Sequence, residues 1–238
     1  MIELIISIGL GVFFIIVMYN VAFVIMMKSR KRINYLQGMK TEPWRTNVII
    51  APVVLVFSLL IIALYSGGNW VDWGFVLPDG FVLATAILVG VVGGLIVTLI
   101  QSFAHRRQEP SEISFSITKT NVRGYILLII IAASIAEEVV FRGLFQQMID
   151  KSLYLVIDLG GVLISSGCVV SAVLFGLVHI MAARQMKQSV PMMVFGAIAL
   201  GLLAGTMFLL SASILVPIII HMEFNILSPL VEKLVEKR

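Results

Sequence analysis

GYILLIIIAASIAEEVVFRGLFQQ, residues 124–147, is the stretch on which the fold turns. About 20 apolar residues cross a bilayer, and this run is long enough. Yet Glu137 and Glu138 stand side by side near its middle, and Arg142 follows four residues after Glu138. Charged groups at lipid depth each cost about 3 kcal/mol or more and persist where they pair or line a wet cavity. The segment therefore reads as a membrane span built around a polar site.

The rest of the chain agrees. Of its 238 residues, 60% are hydrophobic and 13% charged, far from the balance of a soluble domain. Spanning runs are read at 2–27, 47–65, 81–104, 124–147, 160–181, 190–211 and 213–231, the last two divided by a short turn near Ser211–Ser213. The expected fold is all-α, a polytopic transmembrane helical bundle of about seven spans. Fifteen of the 17 Lys and Arg residues fall on alternate loops: six in 28–46, four in 104–123, two in 182–189 and three in the tail. The positive-inside rule makes that face cytoplasmic, which sets the N-terminus outside and the C-terminus in the cytoplasm. The net charge of +4 then reflects loops facing anionic lipid, and no nucleic-acid partner is expected. The first span has Glu3 and no basic region before it, so it reads as a retained anchor rather than a cleaved signal. The single cysteine, Cys168, excludes an intrachain disulfide.

Residues 1–105 read as scaffold helices and residues 121–231 as the catalytic core, with the polar 105–123 loop and its Pro110 as the boundary. Trp70 and Trp73 in the 66–80 loop suit an external interfacial belt. Gly90 and Gly94, and again Gly201 and Gly205, have the small-xxx-small spacing of close helix packing, read as packing inside the bundle. No phosphate-binding loop, dinucleotide fingerprint or cysteine-rich metal cluster is present.

Three spans carry buried polar groups. Glu138 and Arg142 share a helix face and can form a charge-assisted pair, while Glu137 is rotated by about 100° and faces elsewhere. A structural salt bridge would account for Glu138 and Arg142 but leaves Glu137 without a partner. The fifth span has Phe175 and His179 four residues apart; the seventh has His221 and Asn225 at the same spacing. Taken alone, His179 reads as a satisfied structural group, and the His221–Asn225 pair is equally well an interhelical hydrogen-bonding group. Glu223 falls on a different face from His221, and His105 reads as a headgroup-level residue beside Arg106 and Arg107. One hydrated pocket between spans four, five and seven would satisfy the buried groups together. Acids, imidazoles and an amide around water are what amide hydrolysis requires.

These residues resemble a known family. Glu-Glu-Val-Val-Phe-Arg (137–142), Phe-Gly-Leu-Val-His (175–179) and His-Met-Glu-Phe-Asn (221–225) are similar, in order, to the EExxxR, FxxxH and HxxxN motifs of the CPBP intramembrane proteases, the CAAX-protease and bacteriocin-processing or Abi group. The resemblance covers about residues 121–230. It implies an intramembrane endopeptidase in which Glu137 is the general base, His179 orients or shares the proton, His221 and Asn225 form the oxyanion hole, and Arg142 holds Glu138. Phe175 is assigned to substrate binding.

No cofactor is favoured. Zinc is the alternative, since two His and one Glu can make a three-ligand site and many members of the group are labelled metalloproteases; the absence of an HExxH helix argues for a metal-independent glutamate mechanism. The expected partners are membrane lipids and a peptide or lipid-associated protein substrate, in a bacterial plasma membrane. Two other functions remain open: an inactive immunity or scaffold protein of the same family, and a proton-coupled transporter, for which the internal repeats usual in transporters are not seen. One conflict stands in this reading. Glu137 lies mid-span, whereas His179 lies near the cytoplasmic end of an antiparallel span. The two meet only if span five extends past Arg184, tilts, or span four starts deeper.

Overall fold

In lipid a backbone must satisfy its hydrogen bonds within its own segment, which is why the apolar runs become helices. The computed structural model describes residues 2–38, 42–105, 121–185 and 188–236. Seven long helices are found there: α1 (Ile2–Ser29), α2 (Asn47–Ser66), α3 (Gly80–His105), α4 (Val122–Ser152), α5 (Ser166–Gln185), α6 (Val190–Ser211) and α7 (Leu215–Glu236). The first six are long and apolar enough to cross a membrane, and α7 carries a shorter apolar stretch, Leu215–Val231. The chain is an all-α, multi-pass membrane protein. Lys40, Arg106, Arg107, Lys119, Lys187, Lys237 and Arg238, which carry much of the orientation argument, lie outside the described residues, as do Pro110 and the rest of 106–120. The side chains of Glu3, His105 and Lys233 are outside the description too.

The fifth span differs from expectation. Residues 160–165 are not helical. They belong to a small antiparallel hairpin of β1 (Val156–Asp158) and β2 (Leu163–Ser165), with Val156 opposite Ser165. Its loop turns on Gly160 and Gly161, both at positive φ, and the Asp158 carboxylate accepts the Gly161 N–H. The helix starts only at Ser166, where α4 caps it: Gly167 N–H and the Ser165 hydroxyl both donate to Asp150, each at 2.8 Å. These bonds satisfy N–H groups that a helix start leaves unpaired. Because α5 starts late, it also ends late, at Gln185, just past Arg184. The Ser171 hydroxyl donates to the Phe141 carbonyl at 2.9 Å, fixing the α4–α5 register. Carried along antiparallel helices, that register sets His179 about one turn from Glu137, which removes most of the depth conflict.

One core crosses the boundary expected between scaffold and catalytic parts: Ile15, Met18, Ala51 and Val54 pack with Ala136, Val140, Phe141, Phe175 and Ile220. The outer helices face lipid. Only 22% of the apolar windows of α1, α2 and α3 is buried, against 50% for α6, which places α6 at the centre. Trp73 is not an interfacial anchor: it is 4% exposed, packs with Ile62, Phe208 and Ile214, and carries Lys151 over its ring. The α6–α7 turn passes through Ala212 at φ +51°, a conformation unfavourable for a residue with a Cβ. It is held by the Ser213 hydroxyl on the Val76 carbonyl and Ile214 N–H on the Gly74 carbonyl.

Both glycine pairs pack inside the bundle. Gly90 and Gly94 receive α7, and Gly201 and Gly205 receive α5. A Cβ built on Gly201 would lie 2.9 Å from both the Cα and Cβ of Ala172 and 3.3 Å from Nη2 of Arg142. Since backbone cannot yield there, Gly201→Ala is expected to lower stability by about 1–3 kcal/mol, read as an earlier unfolding midpoint in a denaturing-detergent titration.

Candidate active site

α4 changes pitch twice around the acids. Ile126–Ala133 and Val139–Gln146 are π-helical, and the intervening Ser134–Glu138 is α-helical. π turns are rare and frequently mark functional positions, because a wider turn re-aims side chains that an α-helix would stack. Glu138 and Arg142 nevertheless meet as their spacing predicts, with Nη1 donating to Oε1 at 3.0 Å, and both are fully buried. The same Oε1 accepts a 2.7 Å bond from Nδ1 of His221 on α7. The other imidazole nitrogen, Nε2, lies 3.8 Å from Oε2 of Glu137, within ion-pair distance but beyond a hydrogen bond. A line of polar contacts therefore runs Arg142–Glu138–His221–Glu137. Glu138 orients the ring as the buried acid of a catalytic triad does, and Nε2 is the nitrogen left to exchange a proton.

Glu137 differs from its neighbour. Its side chain is 23% exposed where that of Glu138 is 0% exposed. It lies on the wall of a small, partly open cavity, shared with Tyr19 of α1, Asn47 and Ile50 of α2, and Ala133 and Ala136 of its own helix.

The other expected site residues fall around this line. Phe175 is fully buried and sits at the hub: its ring meets Phe141 at 5.0 Å, His179 at 4.5 Å and His221 at 5.6 Å, and the Arg142 guanidinium covers it at 4.8 Å. Enclosed by these four side chains, the ring is the packing centre of the site. His179 bonds through Nδ1 to the Phe175 carbonyl at 2.7 Å, so the Phe175 ring stands between the two imidazoles. Among the described residues, the histidine that meets the acids is His221. Asn225 is tied to the π segment of α4: its Nδ2 donates to the Ser134 hydroxyl at 3.0 Å and the Ile129 carbonyl at 3.4 Å. Glu223 turns away from His221 to lie against Gly90 of α3.

Sequence reading missed several participants. Ser134 and Ser171 are small hydroxyls of the kind that ordinarily bond to their own helix. Gln146, whose Nε2 donates to the Gly205 carbonyl at 3.0 Å, is a polar residue in an apolar span and was a visible signal. Tyr19 and Asn47 had none.

The donor set does not suit a three-ligand zinc site. Among the described residues no group of three His, Cys, Asp or Glu side chains is placed to hold a metal ion. Glu138 and His221 are committed to each other, and Nδ1 of His179 to a carbonyl.

Fold and site define a multi-pass membrane protein with a carboxylate–imidazole centre at lipid depth. Residues 119–227, nearly half of the chain, match the family model described as Type II CAAX prenyl endopeptidase Rce1-like. This is the CPBP, or CAAX-protease, family that the three motifs resemble, a family of proteases. No curated protein and no solved structure gives a significant match.

Proposed function

We propose that the chain is an intramembrane endopeptidase in which Glu137 activates a water molecule for attack on a peptide bond. The observation that carries this reading is the contrast between two adjacent acids. Glu138 is fully buried and bonded to Arg142 and His221, whereas Glu137 is partly exposed on a cavity with Nε2 of His221 at its back. A general base needs access to its proton donor, and of the pair only Glu137 has it.

The steps follow from these positions. Glu137 takes a proton from water as the water oxygen bonds to the scissile carbonyl carbon. The tetrahedral intermediate collapses with cleavage of the C–N bond. The proton held by Glu137, directly or through Nε2 of His221, passes to the leaving amine, giving a carboxylic acid and an amine. A protonated His221 also supplies positive charge for the oxyanion. Asn225, bonded to Ser134 and Ile129, holds α7 in register with α4. The family description supports a prenylated, CAAX-type substrate; a lipid-attached peptide also suits a site open only between membrane helices. Basic loops gathered on one face support a site nearer the cytoplasmic side, where His179 lies.

Purified protein in lipid nanodiscs, given quenched fluorogenic peptides with and without a farnesylated CAAX end, tests this. Cleavage of the farnesylated peptide that persists in EDTA and 1,10-phenanthroline is the expected result. Activity lost to chelators and restored by zinc would replace the glutamate mechanism with a metal one. Failure to cut either peptide, together with identical peptidomes from cells expressing wild type and Glu137→Ala, would leave the inactive-scaffold reading in its place.

A further inference from the structure

The cavity beside Glu137 is completed by the two helices that the family match leaves out. Tyr19 comes from the middle of α1 and Asn47 from the first turn of α2, while residues 119–227 are the matched part. We propose that Tyr19, assisted by Asn47, holds the attacking water against Glu137, so that α1 and α2 form one wall of the hydrolytic site. This rests on reading Glu137 as the base.

Four observations lead to it. The space available to a water centre in the cavity is about 10 Å³, and about 10–15 Å³ is what one buried water occupies. A buried water needs about two to four polar partners. The lining offers three, Glu137, Tyr19 and Asn47, and is otherwise Ile50, Ala51, Val54, Ala133 and Ala136. Tyr19 packs its ring against the main core and lines the same pocket as Glu137. No direct hydrogen bond joins them among the described residues, and two polar groups that face each other beyond hydrogen-bond distance are commonly bridged by one water. Finally, a phenol at lipid depth has no bulk water to turn to, and leaving its hydroxyl without a partner is costly.

Tyr19 then acts as a positioning residue. The water gives one proton to Glu137 as its oxygen bonds to the carbonyl carbon, while the phenol and the Asn47 amide fix the direction from which it attacks. The phenol is neither oxidised nor consumed, and its O–H bond stays intact.

The test pairs two readouts on nanodisc-embedded wild type, Tyr19→Phe, Asn47→Ala and Glu137→Gln. In infrared difference spectra taken across a pH step, the carboxyl band that disappears in Glu137→Gln reports on Glu137 and needs no substrate. Tyr19→Phe, which removes one oxygen and keeps the packed ring, is expected to shift that band. On the farnesylated fluorogenic peptide it is expected to lower kcat by about 10²-fold, the usual loss when a reacting group is misplaced, with KM unchanged. A general packing defect would lower stability without moving the Glu137 band. An unmoved band with wild-type kcat in Tyr19→Phe overturns the proposal while leaving Glu137 as base. Wild-type turnover by Glu137→Gln would instead bring down the reading on which it rests.

Discussion

Glu137→Gln is expected to reduce peptide hydrolysis by about 10³-fold or more, within the range that removal of a positioned proton acceptor produces, while the protein stays folded and membrane-inserted. The amide has nearly the shape of the carboxylate and can still hydrogen-bond to a water in the cavity, but it cannot take the water's proton. Little stability depends on this side chain, because its 3.8 Å contact with His221 is beyond a hydrogen bond and part of it is exposed. The same change at Glu138 tests the division of labour. Its carboxylate is fully buried and does not line the Glu137 cavity, and its Oε1 holds both Arg142 and His221. Glu138→Gln should therefore act through the orientation of His221 and through stability. Initial rates on the farnesylated peptide, with thermal unfolding of each variant, separate the two. A Glu137→Gln enzyme within tenfold of wild type would remove the general-base role, whatever Glu138→Gln does.

Helix identity was legible from the amino-acid sequence because lipid leaves the backbone few choices, and a run such as 81–104 has no alternative to a helix. The partners of single side chains were legible only within one helix. Glu138 and Arg142 meet because they are four residues apart, whereas the bond from His221 to Glu138 joins groups separated by 83 positions. Residues 160–165 were misread as helix because Val162, Leu163 and Ile164 continue an apolar run into α5. Gly160–Gly161 marked the turn, a pattern that joins two short apolar stretches into a hairpin. The first π segment of α4 leaves no mark in a string of Ile, Leu and Ala, and the second none in the residues around Arg142. Tyr19 and Asn47 were invisible for another reason. A tyrosine in a span and an asparagine opening a helix are both ordinary, and only the packing of α1 and α2 against α4 brings them to Glu137.

Arg142→Met is expected to cost about 3–5 kcal/mol of stability, as removing one partner of a buried ion pair typically does. That is a large share of the roughly 5–15 kcal/mol that holds a typical protein folded. The guanidinium is fully buried; it bonds to Glu138 at 3.0 Å and stacks over Phe175 at 4.8 Å, leaving Nε and Nη2 without hydrogen-bond partners in the protein. Methionine fills much of the volume but leaves the Glu138 carboxylate with only His221 to balance it. Arg142→Lys keeps a charge yet loses the planar group that covers Phe175, so it should fall between wild type and Arg142→Met. The double change Glu138→Gln with Arg142→Met removes both charges and should recover a good part of the loss, because the penalty arises from the unpaired charge rather than from the missing bond. The stabilities of the two single variants and the double variant, measured by unfolding in mixed micelles, form a double-mutant cycle. A coupling near zero would mean that the pair does not hold α4 in place, and the orientation of His221 would then have to come from α7 alone.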